Sequence, residues 1–320
     1  MKKLLFTFLA GLIGFSSFSQ GMILSAKDVP DGKSLIEAYI GPLGNSLGAA
    51  LNNGWYNTAK PHSLGGFDVT ITANIVIIPT DAKTFNISKS NEGAFSGGET
   101  PTILGNGNGA SVLYNPTTVP TPGGGDMPKG FNIPIIPLPM LQAGVGLIKG
   151  TELDFRYMPE LKIGSAGKVG LFGIGLKHDI LQWVPIADKI PIDLSIQAGY
   201  TKLSSEFELN DPTGNVSPQA NLDVSATTVN LILSKKLLMF TPYLGLGYNS
   251  TTTTFNVDGD YSIAGHNINV SKLTKIDFES KNNFRANIGF RFNMTVIALQ
   301  ANYTFSEYPT ATLGAGFSLR

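Results

Sequence analysis

FRANIGFRFNMTVIALQANYTF, residues 284–305, decides the fold. Phe284, Ala286, Ile288, Phe290 and Phe292 fall on one side of an extended chain, and Arg285, Asn287, Gly289 and Arg291 on the other. After a tight turn near Asn293–Met294, Ile297, Leu299, Ala301, Tyr303 and Phe305 resume the alternation. A period of two gives each strand one apolar and one polar face. Two such strands across a tight turn form an antiparallel hairpin.

The pattern extends in both directions. Leu313, Ala315, Phe317 and Leu319 repeat it at the C-terminal end. Upstream, Phe67–Ile77, Leu141–Leu147, Leu153–Tyr157 and Ile192–Tyr200 alternate in the same way. Residues 168–178, 222–234 and 238–254 alternate less cleanly, but their Gly, Thr and β-branched content favours strands. A soluble β-sandwich also alternates, so further features must discriminate. The segments reach the 9–11 residues that a tilted membrane strand requires. Aromatic residues recur toward strand ends, as in a girdle: Trp183, Tyr200, Tyr243, Tyr248 and Tyr303. The polar side carries Gly and charges of both signs, which suits a water-facing lumen. Together these predict an all-β, closed antiparallel transmembrane barrel, since an open sheet edge in hydrocarbon leaves backbone groups unpaired.

Connection lengths set the strand count. Tight turns near Lys149–Gly150, Ser234–Leu237 and Asn293–Met294 alternate with longer polar connections at 79–138, 159–167, 206–220 and 255–278. Outer-membrane barrels have short periplasmic turns and long outer loops in this alternation. The count is ten strands. It becomes twelve if residues 83–88 pair with 110–114, and fourteen would strain the available length. Residues 179–190 should be periplasmic yet are longer, and they read as a short amphipathic helix with Ile180, Trp183, Val184 and Ala187 on one side.

Residues 1–20 read as a signal peptide: Lys2 and Lys3, then the apolar stretch Leu4–Phe15, then Ser16–Gln20. Residues 21–64 form an N-terminal plug or periplasmic segment. Within it Ile36, Tyr39, Ile40, Leu43, Leu47 and Leu51 recur at helical spacing, interrupted at Gly41–Pro42, which predicts two short helices ending at Asn52–Asn53–Gly54. Residues 65–320 are the barrel, with 79–138 and 255–278 as its long outer loops. The Gly-, Pro-, Thr- and Asn-rich stretch 79–138 is either a mobile outer loop or a segment folded into the mouth. The chain has no cysteine, so no disulfide braces it. Formal charge is balanced, with 23 basic and 23 acidic residues, and this argues against a nucleic-acid partner.

Residues 50–62 (ALNNGWYNTAKPH), 175–185 (GLKHDILQWVP) and 198–201 (AGYT) resemble a Bacteroidota outer-membrane barrel family of unknown function. The likeness spans essentially the whole chain after the signal peptide. It implies the barrel and its location in the outer membrane of a Gram-negative bacterium. A helical segment ahead of a barrel is also distantly similar to the FadL-type long-chain fatty-acid transporters. That likeness implies a hydrophobic small-molecule ligand and transfers no binding residue.

Asp68, Glu152, Asp154, Arg156, Asp193, Arg285, Arg291 and Arg320 share the inward face. Such charges could line a selective conduit. Their mixed signs on neighbouring strands favour a lattice of paired charges filling a narrow barrel. The three histidines, His62, His178 and His266, lie in different segments without metal-ligand spacing, so neither a metal nor a cofactor is expected. His178 and Asp179 read as caps of the 179–190 helix rather than an acid–base pair. The leading functional reading is gated passage of a hydrophobic or small compound, with outer-membrane lipid as the surroundings. The alternative is a closed structural barrel whose loops bind partners, and an outer-membrane hydrolase ranks last.

Overall fold

The computed structural model describes residues 32–114, 125–162, 167–185, 191–208, 219–258, 260–263, 266–269, 276–280 and 284–319. The signal peptide read at 1–20 and the inward position read for Arg320 lie outside the described residues.

Ten long strands form the wall: β1 Phe67–Ile77, β2 Ile135–Gly146, β3 Thr151–Lys162, β4 Lys168–Asp179 and β5 Asp193–Glu208. They continue with β6 Gln219–Ser234, β7 Phe240–Asp258, β8 Phe284–Met294, β9 Ile297–Phe305 and β10 Thr310–Leu319. Each is antiparallel to the next in sequence, and β10 returns to β1 from Phe67↔Leu319 to Val76↔Thr310, closing the barrel. The strand count is therefore ten. Residues 84–86 pair with 99–101, and 111–114 with 95–96 and 125–126, so the additional wall strands considered at 83–88 and 110–114 do not form.

The outside of the wall is apolar over a defined height. On β1, Phe67, Val69, Ile71 and Ile77 are exposed while Asp68, Thr70, Thr72 and Asn74 are buried. Ten steps at ~3.3 Å, tilted by ~40°, span about 25 Å, the height of the apolar band of a membrane barrel. Exposed Leu, Ile and Phe continue around every strand, far beyond any patch a soluble monomer tolerates. Phe240 and Phe290 stack in the lower half of the wall, with ring centroids 5.5 Å apart, while Tyr157, Phe172, Tyr248 and Phe284 lie toward the loop end. Tyr243 departs from the expected girdle. It points inward and is buried, because it follows Thr241 on the inward-facing register of β7 and packs edge-on against Tyr56.

One end of the barrel has tight turns, which marks it as the periplasmic end. They bend through residues in the left-handed region: Lys149 and Gly150, Leu238, and Thr295. The β8–β9 turn sits at Thr295–Val296, two residues past the position read from sequence, since Asn293 and Met294 still pair with Ala298 and Ile297. The connection after β4 begins with a 3-10 turn, Leu181–Trp183, rather than a full amphipathic helix. Asp179 Oδ1 accepts from the Leu181 amide at 2.9 Å; Ala187 lies outside the described residues.

At the opposite end β5–β7 are long, up to 19 residues, whereas β9 has nine. A strand at Ile276–Ser280 extends the β7 edge beyond β8. Residues 78–114 and 125–134 fold as a lid of short paired segments, tied to the rim by the Ile78 amide donating to Pro134 O.

Helix α1, Gly32–Asn52, runs down into the barrel from the lid end. It is one helix, although two were expected from the break at Gly41–Pro42. Pro42 removes one helical donor. The helix continues because lid and wall surround it, and Ser46 Oγ bonds back to Pro42 O at 2.6 Å. Residues 53–66 then descend to the periplasmic end and β1 climbs back up.

This threading fixes an orientation that surface labelling can check. The cysteine-free background allows single replacements at exposed Lys33 and at Leu238, which is 91% exposed in a tight turn. A membrane-impermeant maleimide should label Lys33→Cys on intact cells, and Leu238→Cys only after the outer membrane is permeabilised. The reverse pattern would invert the barrel.

Candidate functional site

Among the described residues, buried charge gathers in the lumen, whose contents divide by height. In the loop-side half, wall residues Ile136, Leu138, Met140, Leu171, Leu203 and Leu222 are apolar and packed with α1 and the lid. Helix residues Ile36, Tyr39, Ile40, Leu43, Leu47 and Leu51 all belong to this core. Gly44 and Gly48 bring the helix backbone against Thr253 and Thr251 of β7, where a Cβ would collide with both threonines. The lid is bonded to the helix directly: the Ile103 amide donates to Tyr39 O at 3.1 Å, and Tyr39 Oη donates to Lys129 O at 2.8 Å. Burial holds the Tyr39 phenol above its ordinary range, so it keeps the proton it donates.

The polar half begins where the helix ends. An α-helix leaves its last four carbonyls without helical partners. Here all four are satisfied: Ala49 O by Asn53 Nδ2, Ala50 O by Asn74 Nδ2 at 2.8 Å, Leu51 O by Arg156 Nη1 at 2.7 Å, and Asn52 O by Arg285 Nη1 at 2.5 Å. The second guanidinium nitrogens reach further. Arg156 Nη2 donates to Asn53 O at 2.8 Å, and Arg285 Nη2 to Asn53 Oδ1 at 2.6 Å. Arg156 comes from β3 and Arg285 from β8, on opposite sides of the ten-strand ring. Two cations thus grip the negative end of the helix dipole from both walls.

Below the helix, residues 53–63 fill the lumen in extended form. Trp55 lies flat beneath Arg156, whose Cζ stands 3.6 Å from the ring centroid. Its indole needs the space left by Gly175 and Gly199, where a Cβ would approach it to 2.6 and 2.5 Å. Tyr56 Oη donates to Asn287 Oδ1 at 3.1 Å, and Arg291 Nη1 to Asn57 Oδ1 at 2.6 Å. The Ala59 amide donates to Ser234 Oγ at 3.0 Å, and Ser195 Oγ donates to Ala59 O at 2.5 Å. At the periplasmic mouth the His62 amide donates to Glu152 Oε2 at 2.7 Å, while Lys177 pairs with Glu152 at 2.7 Å and His62 faces Asp68 at 3.3 Å.

The structure therefore places Asp68, Glu152, Asp154, Arg156, Arg285 and Arg291 in the interior, all buried. Asp193 is only half-buried, at the periplasmic rim, where it accepts from Ser234 Oγ at 3.4 Å. Glu152 pairs with Lys177 and Asp68 faces His62, while Arg156 and Arg285 bond oxygens of the plug. Lys177 was missed because Gly173 and Gly175 blur the alternation of β4. Asn74, Gln142, Trp55 and Asn57 were missed because their partners are remote carbonyls and ring faces, which leave no spacing to detect. His178 is held between Thr151 Oγ1 at 2.9 Å and the Trp183 indole at 3.1 Å, and serves the turn. Among the described residues no three His, Cys, Asp or Glu gather as a metal site.

With this geometry in hand, the class is a transmembrane β-barrel whose lumen is occupied by its own segment 32–63. Residues 1–319 match the model of a family of unknown function, DUF6588, and the chain belongs to that family. No curated protein matches it. Among solved structures it is similar to Ail, the attachment invasion locus protein of Yersinia pestis, in complex with the heparin analogue sucrose octasulfate. Identity there is 10%, covering 80% of this chain and 100% of that one, with a TM-score of 0.30. It is also similar to the translocator domain of the autotransporter NalP from Neisseria meningitidis, at 10% identity, 88% and 96% coverage and a TM-score of 0.33. The outer-membrane channel DcaP of Acinetobacter baumannii matches at 13% identity over 80% of this chain and 96% of that one, with a TM-score of 0.21. At such scores the architecture rests on the chain's own strand pairing.

The arginine grip has a measurable consequence. Arg156→Ala orphans Leu51 O and Gln142 Oε1, strips Asn53 O of one of its two donors, and removes the stacking on Trp55. Unfolding in detergent should become easier by about 3–5 kcal/mol, at ~1–3 kcal/mol per orphaned buried group. The check is a urea titration followed by heat-modifiable gel mobility. Arg156→Lys, which keeps the charge but loses the fork, should fall between.

Proposed function

We propose that the protein works as a closed barrel, sealed by its own plug, whose active surface is the outer mouth formed by the lid and the tall β5–β7 wall. One observation carries this reading: residues 49–62 are bonded to β1, β3, β5, β6 and β8 along the whole polar half of the lumen. A helix inside the barrel suits a gate, but a gate also needs a weak seam along which it can part. These bonds are instead distributed around the ring, and several involve buried cations, whose exposure to unpaired surroundings is costly.

Gated passage of a hydrophobic compound is the second reading. The apolar loop-side half of the lumen favours it, together with the likeness to fatty-acid transporters noted in the sequence. Displacing α1 would uncover an apolar channel lined by Ile136, Leu138, Met140 and Leu222. An enzymatic role has less support, since His178 is engaged in a turn and His62 in the plug anchor.

Planar-bilayer recording separates the two. The closed reading expects no conductance steps from the wild-type protein, and steps from a variant lacking residues 32–63. If that variant does not fold, Arg156→Ala combined with Arg285→Ala should supply intermittent openings. Wild-type conductance, or opening of the wild type on adding a fatty acid, would overturn it in favour of passage.

A further inference from the structure

The tall sector of the wall carries a pocket that neither the plug nor the closed lumen explains. It lies on the outer surface, above the apolar band, and has a volume of about 320 Å³. Outward-facing rows of β4, β5 and β6 form its floor. Glu206 stands opposite Lys168 on one side and Asn221 on the other, and Ser204 stands opposite Asp223. Glu160 joins from β3, where a register shift between Met158 and Leu161 bends the strand. That bend lays Glu160 over Gly170, the residue opposite Ser204, where a Cβ would meet Glu160 Cγ at 3.1 Å.

The height of the pocket identifies its occupant. Tyr200 is on the outward face, with its hydroxyl reaching up to Ser225 at 3.3 Å, and Phe172 sits beside Lys202 in the next row. These residues mark the edge of the hydrocarbon, as interfacial aromatics do. Ser204 and Glu206 lie four and six residues further along β5. At ~3.3 Å per residue and ~40° of tilt they stand about 10–15 Å beyond Tyr200. A phospholipid headgroup layer is only ~5–8 Å deep. A lipid that fills this pocket while keeping its chains against Phe172 and Ile174 must carry a larger headgroup.

We propose that this pocket binds the phosphorylated sugar headgroup of an outer-leaflet glycolipid. Hydroxyl, amide and carboxylate groups in alternating rows match sugar hydroxyls, which donate and accept in turn. Phosphate contacts come from Lys168 in the pocket and from Lys202, which reaches Asp223 from the row beneath it. Lys168 lies 3.8 Å from Glu206 and Lys202 3.7 Å from Asp223, and all four side chains are 38–48% exposed. Such loose surface pairs are weak and easily exchanged for a phosphate. The carboxylates left by that exchange, with Glu160, can share a divalent cation with the phosphate. The occupant is fixed by the membrane surface, so this inference stands whether the lumen opens or stays shut.

Native mass spectrometry of the full protein in detergent micelles tests it, with a bisphosphorylated diglucosamine lipid, its dephosphorylated form and phosphatidylethanolamine as probes. The bisphosphorylated glycolipid should be retained in preference to both others. Lys168→Ala combined with Lys202→Ala should weaken retention on the order of tenfold, as expected for losing two charge-assisted bonds to phosphate. The variant's heat-modifiable mobility should be unchanged, since both lysines are exposed. Equal retention of phosphatidylethanolamine, or full retention by the double variant, would overturn the proposal. Loss of the glycolipid on adding millimolar inorganic phosphate alone would do the same, by assigning the site to free phosphate.

Discussion

A helix that ends inside a membrane barrel leaves a row of carbonyls facing a space with little water, and the rest of this molecule is arranged around that constraint. In bulk solvent the last turn of α1 would be hydrated at no cost. In the lumen every one of those oxygens must find a donor; Asn53 supplies one from the plug itself, and the other three come from the wall: Asn74 on β1, Arg156 on β3 and Arg285 on β8. A charge-assisted bond to a buried carbonyl is worth roughly twice a neutral one. The guanidinium fork also serves two oxygens at once, which an ammonium cannot do with the same fixed geometry. The barrel's inward charges thus act on backbone dipoles, with carboxylates in a secondary role near the periplasmic mouth.

The two halves of the lumen follow from where the helix stops. Above Asn52 the backbone satisfies itself, so the wall can be apolar, and β2 carries Ile136, Leu138 and Met140 on a face that would otherwise be wet. Below Asn53 the chain is extended and its amides and carbonyls need partners, so the wall turns to Gln142, Ser195, Ser234 and Asn287. Large plug side chains are matched by missing wall side chains, as Trp55 is by Gly175 and Gly199. Interior packing of this kind behaves like a protein core, where both a cavity and an added methyl are felt.

This division also explains which parts of the fold were legible in the sequence. Strands with one lipid face and one polar face, such as β1, β8 and β9, show their period plainly. Where the wall meets the apolar helix the period fades or changes sense: β4 is apolar on both faces at Val169, Leu171 and Phe172, and β6 turns Leu222 and Val224 inward but Val229 and Leu231 outward. Inward glycines erase it too, because they occupy the polar register without marking it. Tyr243 was assigned to the lipid interface for a related reason: an aromatic residue near a strand end looks the same whether it faces lipid or Tyr56. The inward charges could be read from alternation, but not their partners. Arg285 and Asn52 are brought together only by a chain that threads the barrel, and no local pattern records threading.

Threading constrains assembly as well. The plug is covalently continuous with β1, and β1 is the strand onto which β10 closes. Once closed, the lumen offers no side entrance, and the lid rooted between β1 and β2 covers the loop end. With the wall closed, the remaining way in for α1 is the periplasmic mouth, N-terminus first; otherwise the helix lies beside β1 before β10 pairs with it. Arg156 and Arg285 sit on opposite sides of the ring, so neither arm of the helix cap is complete until the sheet has curved far enough to bring β8 across from β3. Both cations meet their oxygens only when the plug is seated and β8 stands across from β3. Plug seating and wall curvature are thus coupled, because an arginine buried in the lumen without its plug oxygens would be a buried charge left unpaired.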